Sequence, residues 1–249
     1  MSHKVAIVTG AGSGIGQATA KLLANKGFRV VVSDINEEGM RQTHEMIKDA
    51  GGQAVIQLCD VSSQPQVKQL FQSTVANYGE IHAVVNNAGI GGDAGFIHEY
   101  SDETYDRIIA VNQTGVWYCM KEALAIMHKL QTGGSVVNVS SVAGIGAAPM
   151  MGAYAASKHA VIGLTRTAAA EYGKYNIRVN AVCPTVIDTP MGRSIADHDS
   201  PMMQMIKESI PMKRFGEPEE VAEVIAWLCS ESSSYVNGQE LRIDGGMKA

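Results

Sequence analysis

Two side chains four residues apart, Tyr154 and Lys158, have the types and the spacing for acid–base chemistry. They lie in a run from Gly152 to Lys174 that is predicted to form a long helix, which would place both on one face about one turn apart. An ammonium group beside a phenol favours the phenolate, so we expect the pKa of Tyr154 to fall below its usual value of about 10. Such a tyrosine can exchange a proton with an alcohol or carbonyl oxygen. The alternative is structural, because a half-buried tyrosine and a solvated lysine share this spacing in many helices.

A glycine-rich turn near the start of the chain indicates a nucleotide. An apolar run typical of a buried strand, Val5–Thr9, is followed by a helix pattern from about Ile15 to Asn25. The turn between them carries Gly10, Gly14 and Gly16. Glycines let a pyrophosphate approach the backbone, and the helix N-terminus adds free N–H groups and a partial positive charge. The spacing departs from G-x-G-x-x-G, and a tight turn without a ligand is the structural alternative.

Asp34 ends the next predicted strand, Phe28–Ser33, about twenty residues after the glycine turn. An acid at this place is positioned to bind both ribose hydroxyls of NAD and would repel the 2′-phosphate of NADP. The flanking residues Ser13 and Ile35 are not basic, so neither would neutralise that phosphate. The alternative is that Asp34 caps the helix predicted from Glu37 to about Ala50.

The order of the predicted elements indicates the fold class. Strand and helix patterns alternate almost end to end, which predicts an α/β protein with a Rossmann-type, doubly wound parallel sheet of about seven strands and helices on both faces. We expect one domain over residues 1–249. Ligands gather beyond the carboxyl ends of such strands, where the sequence places the glycine turn, Asp34, Asp60, Asn86–Gly89, Ser141 and Pro184.

Two of these positions have two interpretations, and a third residue, elsewhere in the chain, needs an explanation. Asp60 is an acceptor for the adenine amino group, or it is a turn residue or helix cap. The amides and glycine of Asn86–Gly89 either brace the loop backbones or line the adenosine ribose. Asn112 lies inside a helix predicted from Ser101 to about Lys129, where asparagine is unfavourable and needs a reason.

Composition narrows the function classes. Of 249 residues, 45% are hydrophobic and 18% are charged, which gives a large core and argues against disorder. The net charge of -5 shows no basic stripe, so nucleic-acid binding is not expected. The four cysteines are far apart without a C-x-x-C, so we predict no metal site and expect reduced thiols in a cytoplasmic protein. No apolar run is long enough to span a bilayer, and no signal-peptide core is present.

Together these motifs closely resemble the short-chain dehydrogenase/reductase family over essentially the whole chain. The resemblance also includes the closing segments Arg214–Glu220 and Asp244–Gly246. It implies an oxidoreductase that transfers a hydride between NAD and a small secondary alcohol or ketone, and it implies a homotetramer. The cofactor contacts that it implies are Gly10, Ser13, Gly14, Ile15, Gly16, Asp34, Asp60, Val61, Asn87, Ala88, Gly89, Tyr154, Lys158, Pro184, Ile187 and Thr189.

The resemblance also implies catalytic roles. Tyr154 would be the general acid/base, Lys158 would lower its pKa and bind the nicotinamide ribose, and Ser141 would hold the substrate oxygen. Asn112 would hold a water that links Lys158 to solvent. Ser141 is chosen over Ser140 because the family's serine usually lies thirteen residues before the tyrosine. One departure is Thr185, which follows Pro184 where the family usually has glycine.

The substrate end of the site is less defined by the sequence. Residues 185–216 interrupt the alternation with several methionines, so they form either a helical excursion packed on the body or a flexible apolar lid. Pocket walls are expected at 90–97, 143–151 and 185–210, with substrate contacts at Ser141, Tyr154, Met151 and Met191. The wall residues predict a mainly apolar substrate: Ile97, Ile145, Pro149, Met150, Met151 and Met191.

Two alternatives compete with the secondary-alcohol dehydrogenase. A 3-oxoacyl carrier-protein reductase would usually prefer NADPH and would need basic residues to dock its acidic carrier, which Asp34 and the negative net charge disfavour. A non-catalytic NAD-binding regulatory protein could lose the tyrosine or the lysine, whereas both are present here.

Overall fold

A computed structural model describes residues 4–195 and 200–249 of the chain. The predicted lid at 185–216 therefore falls partly outside the described residues, at 196–199. None of the helices within the described ranges is long and apolar enough to cross a bilayer.

The sheet has seven parallel strands in the order β3-β2-β1-β4-β5-β6-β7, which confirms the predicted α/β class. The strands are β1 Val5–Thr9, β2 Arg29–Asp34, β3 Gln53–Leu58, β4 Ala83–Asn86, β5 Gly134–Val139, β6 Ile177–Pro184 and β7 Glu240–Ile243. The order reverses direction between β1 and β4. In such sheets, ligands bind beyond the strand carboxyl ends at this switch point.

Helices connect the strands and cover both faces of the sheet. In the described ranges they are α1 Gly14–Asn25, α2 Glu37–Asp49, α3 Gln64–Tyr78, α4 Asp102–Ile109, α5 Gly115–Leu130, α6 Gly152–Tyr172, α7 Pro190–Ile195, α8 Pro201–Ser209 and α9 Pro218–Leu228. Most boundaries lie within two residues of the predicted ones. Helix α6 ends at Tyr172, two residues before the predicted end at Lys174, and a 3₁₀ turn over Gly173–Tyr175 follows.

Strand β1 shows how one apolar run fills two cores. Its five residues are all buried, and consecutive side chains point to opposite faces. Ala6 and Val8 pack with α1, α2 and α9, whereas Ile7 packs with α3, α5 and α6. A continuous apolar run without polar alternation is therefore the pattern that a parallel strand covered on both sides requires.

The prediction of one continuous helix over Ser101–Lys129 is wrong at its centre. Ser101 caps α4 by accepting a hydrogen bond from the Thr104 N–H, but a π turn at Ala110–Thr114 separates α4 from α5. Asn112 lies in this turn and is fully buried. The poor helix former thus marks a real irregularity, and π turns are frequent at functional sites.

The methionine-rich segment at 185–216 has features of a helical excursion packed on the body and of an apolar cover over a pocket. Helix α8 buries Met203 against the body, whereas Met205 and Met212 are exposed. Met191 of α7 and Ile206 of α8 line the large cavity described below. The methionines therefore do not form one buried face, and the segment supplies a wall of the cavity.

Candidate active site

A cavity of about 580 Å³ opens at the carboxyl ends of the strands. It brings together nearly all the predicted site residues: Gly10, Ser13, Gly14, Ile15, Asp34, Asp60, Val61, Asn87, Ala88, Gly89, Ser141, Met151, Tyr154, Lys158, Pro184, Ile187, Thr189 and Met191. Two predicted residues, Gly16 and Asn112, do not line it.

The glycine turn has the geometry of an anion cradle. Gly10 and Gly14 have φ of 65° and 53°, which favours glycine. A Cβ on Gly16 would lie 2.1 Å from the Gly10 carbonyl oxygen, so Gly16 permits the helix to pack against the turn. Ser13 makes no side-chain cap to α1, and the first turn of α1 carries no acidic residue. The free N–H groups at the start of α1 and the glycine surface of the preceding turn fit a pyrophosphate.

Asp34 is held in place by two backbone amides. Its Oδ2 accepts a hydrogen bond from the Gly12 N–H at 2.9 Å, and its Oδ1 accepts one from the Asn36 N–H at 2.9 Å. Asn36, not Asp34, caps α2 by accepting from the Gly39 N–H. The cap interpretation of Asp34 is therefore wrong. A fixed carboxylate that lines the cavity, with lone pairs left over, fits a ribose diol.

Asp60 after β3 and Asn87 after β4 form hydrogen bonds that hold nearby backbone in place. Asp60 Oδ1 accepts hydrogen bonds from the backbone and the hydroxyl of Ser62, as in a turn, although Asp60 also lines the cavity. Asn87 Nδ2 donates to the carbonyl oxygens of Thr9 and Gly10, both at 3.0 Å. Asn87 therefore ties the end of β4 to the glycine turn, and its neighbours Ala88 and Gly89 form the cavity surface.

Lys158 is a buried cation, with an exposed fraction of only 4%. Its Nζ donates a hydrogen bond to the Val139 carbonyl oxygen at 2.8 Å and lies 5.4 Å from the centre of the Tyr154 ring. Burial disfavours the charged form and lowers the pKa of Lys158 to about 8. The ammonium keeps two further N–H donors that can serve a ribose hydroxyl.

Tyr154 lines the cavity together with Ser141 and Lys158. Burial raises its pKa, and a hydrogen bond with the Ser141 side chain acts in the opposite direction. The expectation of a lowered pKa is therefore wrong for the protein without cofactor. Desolvation of the phenolate outweighs the hydrogen bond with Ser141. The Lys158 ammonium is directed at the Val139 carbonyl oxygen.

The two adjacent serines point in different directions. The Ser140 hydroxyl donates to the Lys158 carbonyl oxygen at 3.0 Å, so it fixes β5 to α6. The Ser141 hydroxyl accepts from the Ala143 N–H at 3.1 Å and donates to the Pro184 carbonyl oxygen at 3.4 Å, and its side chain acts to lower the pKa of Tyr154. The geometry thus supports Ser141 as the residue beside the reacting oxygen.

Asn112 braces the site from beneath. Its Oδ1 accepts from the Ile90 N–H at 2.8 Å, and its Nδ2 donates to the Ile90 carbonyl oxygen and to the Ser157 hydroxyl. Ser157 in turn donates to the Tyr154 carbonyl oxygen at 2.7 Å. Both amide hydrogens are used, so the side chain links the loop after β4 to α6. The predicted water contact of Asn112 stays a prediction.

The substrate end differs from the sequence prediction in its walls. Ile97 has an exposed fraction of 84%, Met150 is also exposed, and Ile145 packs on Ile162, Ala181 and Cys183, so none of the three lines the cavity. Ile206 lies in the predicted wall at 185–210 and lines the cavity, whereas sequence reasoning missed the contributions of Met247 and Lys248. The available signal was the Asp244–Gly246 turn, which folds the last residues back over the sheet edge.

Thr185 is accommodated without strain. Its N–H donates to the Ile243 carbonyl oxygen at 3.2 Å, and its hydroxyl donates to the Met247 Sδ at 3.0 Å. Its φ is not among the positive values that favour glycine. The residue that replaces the family's usual glycine therefore anchors the closing segment of the chain.

The site thus combines an anion cradle, a diol-binding acid and a serine–tyrosine–lysine group, which defines the class of nucleotide-dependent oxidoreductases. The family model described as enoyl-(acyl carrier protein) reductase matches residues 10–248. The chain belongs to the short-chain dehydrogenase/reductase family.

Two curated relatives span the chain. It is 41% identical over 249 residues to 2,5-dichloro-2,5-cyclohexadiene-1,4-diol dehydrogenase of Sphingobium indicum, covering 100% of this chain and 98% of that protein. It is 42% identical over 247 residues to 3-oxoacyl-(acyl-carrier-protein) reductase FabG of Thermotoga maritima, covering 99% and 98%.

Solved structures have the same fold at similar identity. Levodione reductase has a TM-score of 0.94 at 36% identity, covering 98% of this chain and 96% of that chain. NAD+-bound xylitol dehydrogenase has a TM-score of 0.91 at 34% identity, covering 98% of both chains. A variant of actinorhodin polyketide ketoreductase with NADPH has a TM-score of 0.92 at 36% identity, covering 98% and 97%.

Proposed function

We propose that the chain is an NAD-dependent dehydrogenase of secondary alcohols with a mainly apolar body. The observation that carries the cofactor choice is Asp34, whose carboxylate lines the cavity and is fixed by Gly12 and Asn36. The basic side chains among the cavity-lining residues are Lys158 and Lys248, and neither neighbours Asp34 in the sequence. A 2′-phosphate would thus meet a fixed negative charge.

The chain's own residues divide the reaction between binding and proton transfer. When bound, the nicotinamide supplies the hydride chemistry. In alcohol oxidation the Tyr154 phenolate takes the proton of the substrate hydroxyl, and in ketone reduction the phenol returns it. The Ser141 hydroxyl donates to the substrate oxygen and stabilises its developing charge. Lys158 holds the ribose with the N–H groups that Val139 leaves free.

The cavity walls and the diol dehydrogenase relative support an alcohol with an apolar body. Val142, Pro149, Met151, Met191 and Ile206 surround the approach to Ser141 and Tyr154. Single apolar contacts discriminate by only about 1–3 kcal/mol, so we propose this substrate class and not one compound.

A second candidate is a 3-oxoacyl carrier-protein reductase, and the 42% identity to the Thermotoga maritima enzyme favours it. The two candidates differ in cofactor. Tighter binding of NADPH than of NADH would put the carrier-protein reductase first, because it would mean that Asp34 does not contact the ribose.

We also propose that the protein assembles as a homotetramer. Tyr105, Trp117 and Trp227 are half-exposed on α4, α5 and α9, where a partner would cover apolar surface. Light scattering coupled to gel filtration tests this. A single species near the chain mass of 26.5 kDa would refute the assembly.

The experiment that tests the enzyme itself is Tyr154→Phe, which removes only the hydroxyl. Loss of general acid–base catalysis should lower kcat by about 100- to 10,000-fold while NADH binding persists. Tyr172→Phe is the matched control, because Tyr172 is on the same helix but outside the cavity. Unchanged turnover in Tyr154→Phe would refute the assignment, and NADH binding without any wild-type turnover would favour the regulatory protein.

A further inference from the structure

The substrate end of the cavity has one charged side chain apart from Lys158 among the described lining residues, and it is Lys248. The acids in the lining, Asp34 and Asp60, belong to the cofactor end. Lys158 is buried and bonded to Val139, as described above. We propose that Lys248 is a specificity-determining residue that binds an anionic group of the substrate, remote from the carbinol. This inference rests on the proposed function and narrows its substrate class.

The backbone that carries Lys248 is fixed by several contacts. Asp244 accepts hydrogen bonds from the Gly246 N–H at 3.0 Å and from the Lys248 N–H at 2.9 Å. The Arg242 guanidinium donates to the Lys248 carbonyl oxygen. The Thr185 hydroxyl bonds the sulfur of Met247 from the opposite side. The turn is therefore tied to two neighbouring strand ends, and the last residues form a defined wall of the cavity.

The side chain of Lys248 extends toward the loop that carries the other wall. Its Nζ lies 3.7 Å from the position of a Cβ on Gly146, and the next two residues, Ala147 and Ala148, line the cavity. Small residues on that loop leave the ammonium accessible. Lys248 therefore lies beside the loop 146–148 at the wall of the cavity, which Met191 of α7 and Ile206 of α8 also line.

The ammonium has no carboxylate within ion-pair distance in the parts of the chain that the structure describes. The nearest acid before it in the sequence, Asp244, is engaged by the two backbone N–H groups of its own turn. Lys248 is an exposed residue, so its ammonium is available to a ligand in the cavity. An alcohol with an apolar body and one anionic end, such as a carboxylate, would pack its body against the apolar cavity walls and place its charge beside the Lys248 ammonium.

Matched substrates test this directly: a hydroxycyclohexanecarboxylate and its methyl ester differ only in charge at the far end. We expect Lys248→Gln to lower the ratio of kcat/KM values, carboxylate over ester, by about fivefold, as for loss of a partly exposed ion pair. Lys248→Arg should retain the ratio, and added salt should reduce it in the wild type. Lys129→Gln, a surface lysine on α5, is the control for net charge.

A binding measurement separates this inference from the proposed function. Calorimetry of Tyr154→Phe loaded with NADH should detect cyclohexanecarboxylate, and Lys248→Gln in that background should weaken its binding by a similar factor. If Lys248→Gln turns over the ester but leaves the carboxylate-to-ester ratio of kcat/KM unchanged, the role of Lys248 is overturned. The proposed function is unaffected by that result. Failure of the wild type to turn over any of a panel of cyclic and aliphatic secondary alcohols that includes this pair, with either cofactor, would overturn the proposed function, and this inference with it.

Discussion

Replacing Asp34 by serine should change the cofactor preference more than any other single substitution in the cavity. The carboxylate is the only charge at the end of β2 among the cavity-lining residues, and two backbone N–H groups hold it there. We expect Asp34→Ser to weaken NADH binding and to strengthen NADPH binding, because serine neither forms charge-assisted bonds to the ribose nor repels a phosphate.

The magnitude follows from the two contributions. Two unit charges about 4 Å apart interact by about 1 kcal/mol in water and about 4 kcal/mol near a protein surface. Hydrogen bonds to a charged acceptor contribute about 1.5–3 kcal/mol each. Since the cavity is open to solvent, we take about 2 kcal/mol for the lost repulsion of NADPH and about 2 kcal/mol for the lost ribose bonds. Together, about 4 kcal/mol corresponds to roughly a 1,000-fold change in the NADH/NADPH preference.

Fluorescence titration of each variant with both cofactors measures the preference. Asp34→Ser also leaves the Gly12 and Asn36 N–H groups without their acceptor, so chemical unfolding must show that the variant is folded. Asp34→Asn keeps the shape but removes the charge and one of the two acceptor oxygens that the Gly12 and Asn36 N–H groups use. Adding Ile35→Arg, at an exposed cavity residue, should strengthen NADPH binding further. Equal affinities in the wild type, or a ratio that Asp34→Ser leaves unchanged, would refute the reasoning.

Two further predictions concern buried polar groups. Burial lowers the pKa of Lys158 to about 8 from an unfolded value of 10.5, so the unfolded chain binds the extra proton between these values and stability should rise with pH across this window. We compare the free energy of unfolding of the cofactor-free wild type with that of Lys158→Met. The difference between them should increase by up to about 3 kcal/mol from pH 7 to pH 10. A difference that does not change with pH would contradict a buried charge at Lys158. Asn112→Ala should destabilise the protein by about 2–4 kcal/mol in denaturant unfolding, because it removes three hydrogen bonds and leaves Ile90 unpaired; a loss below about 0.5 kcal/mol would contradict the bracing role.

The fold was predictable because its signals are local. The apolar run of β1 must be covered on both faces, and the glycines that follow it permit a turn that other residues do not. Asp34 and Ser141 could be placed for the same reason, since each is at the end of a strand whose pattern is clear in the sequence. Parallel strands then bring these ends to one edge of the sheet.

The remaining features depend on contacts between distant parts of the chain. Thr185 and Met247 meet across 62 positions, so no local pattern predicts that the closing turn forms a wall of the cavity. The pKa of Tyr154 depends on how much water the assembled walls exclude, and the spacing of Tyr154 and Lys158 does not contain that information. The walls at Ile97 and Ile145 were misplaced because loop conformation decides which apolar side chains turn inward.

The π turn at Ala110–Thr114 ties the catalytic site to an exact residue count. One residue more or less in a helix rotates everything beyond it by about 100°. Here Ile108 of α4, Asn112 in the turn, and Val116 and Cys119 of α5 are all buried, so α4, the turn and α5 present one face to the core. Deleting a residue in the turn would rotate α5 relative to α4 by about 100° and turn Val116 and Cys119 away from the core. In a relative of this protein, a deletion within residues 110–114 would therefore predict that Asn112 no longer occupies the same position beside the cavity.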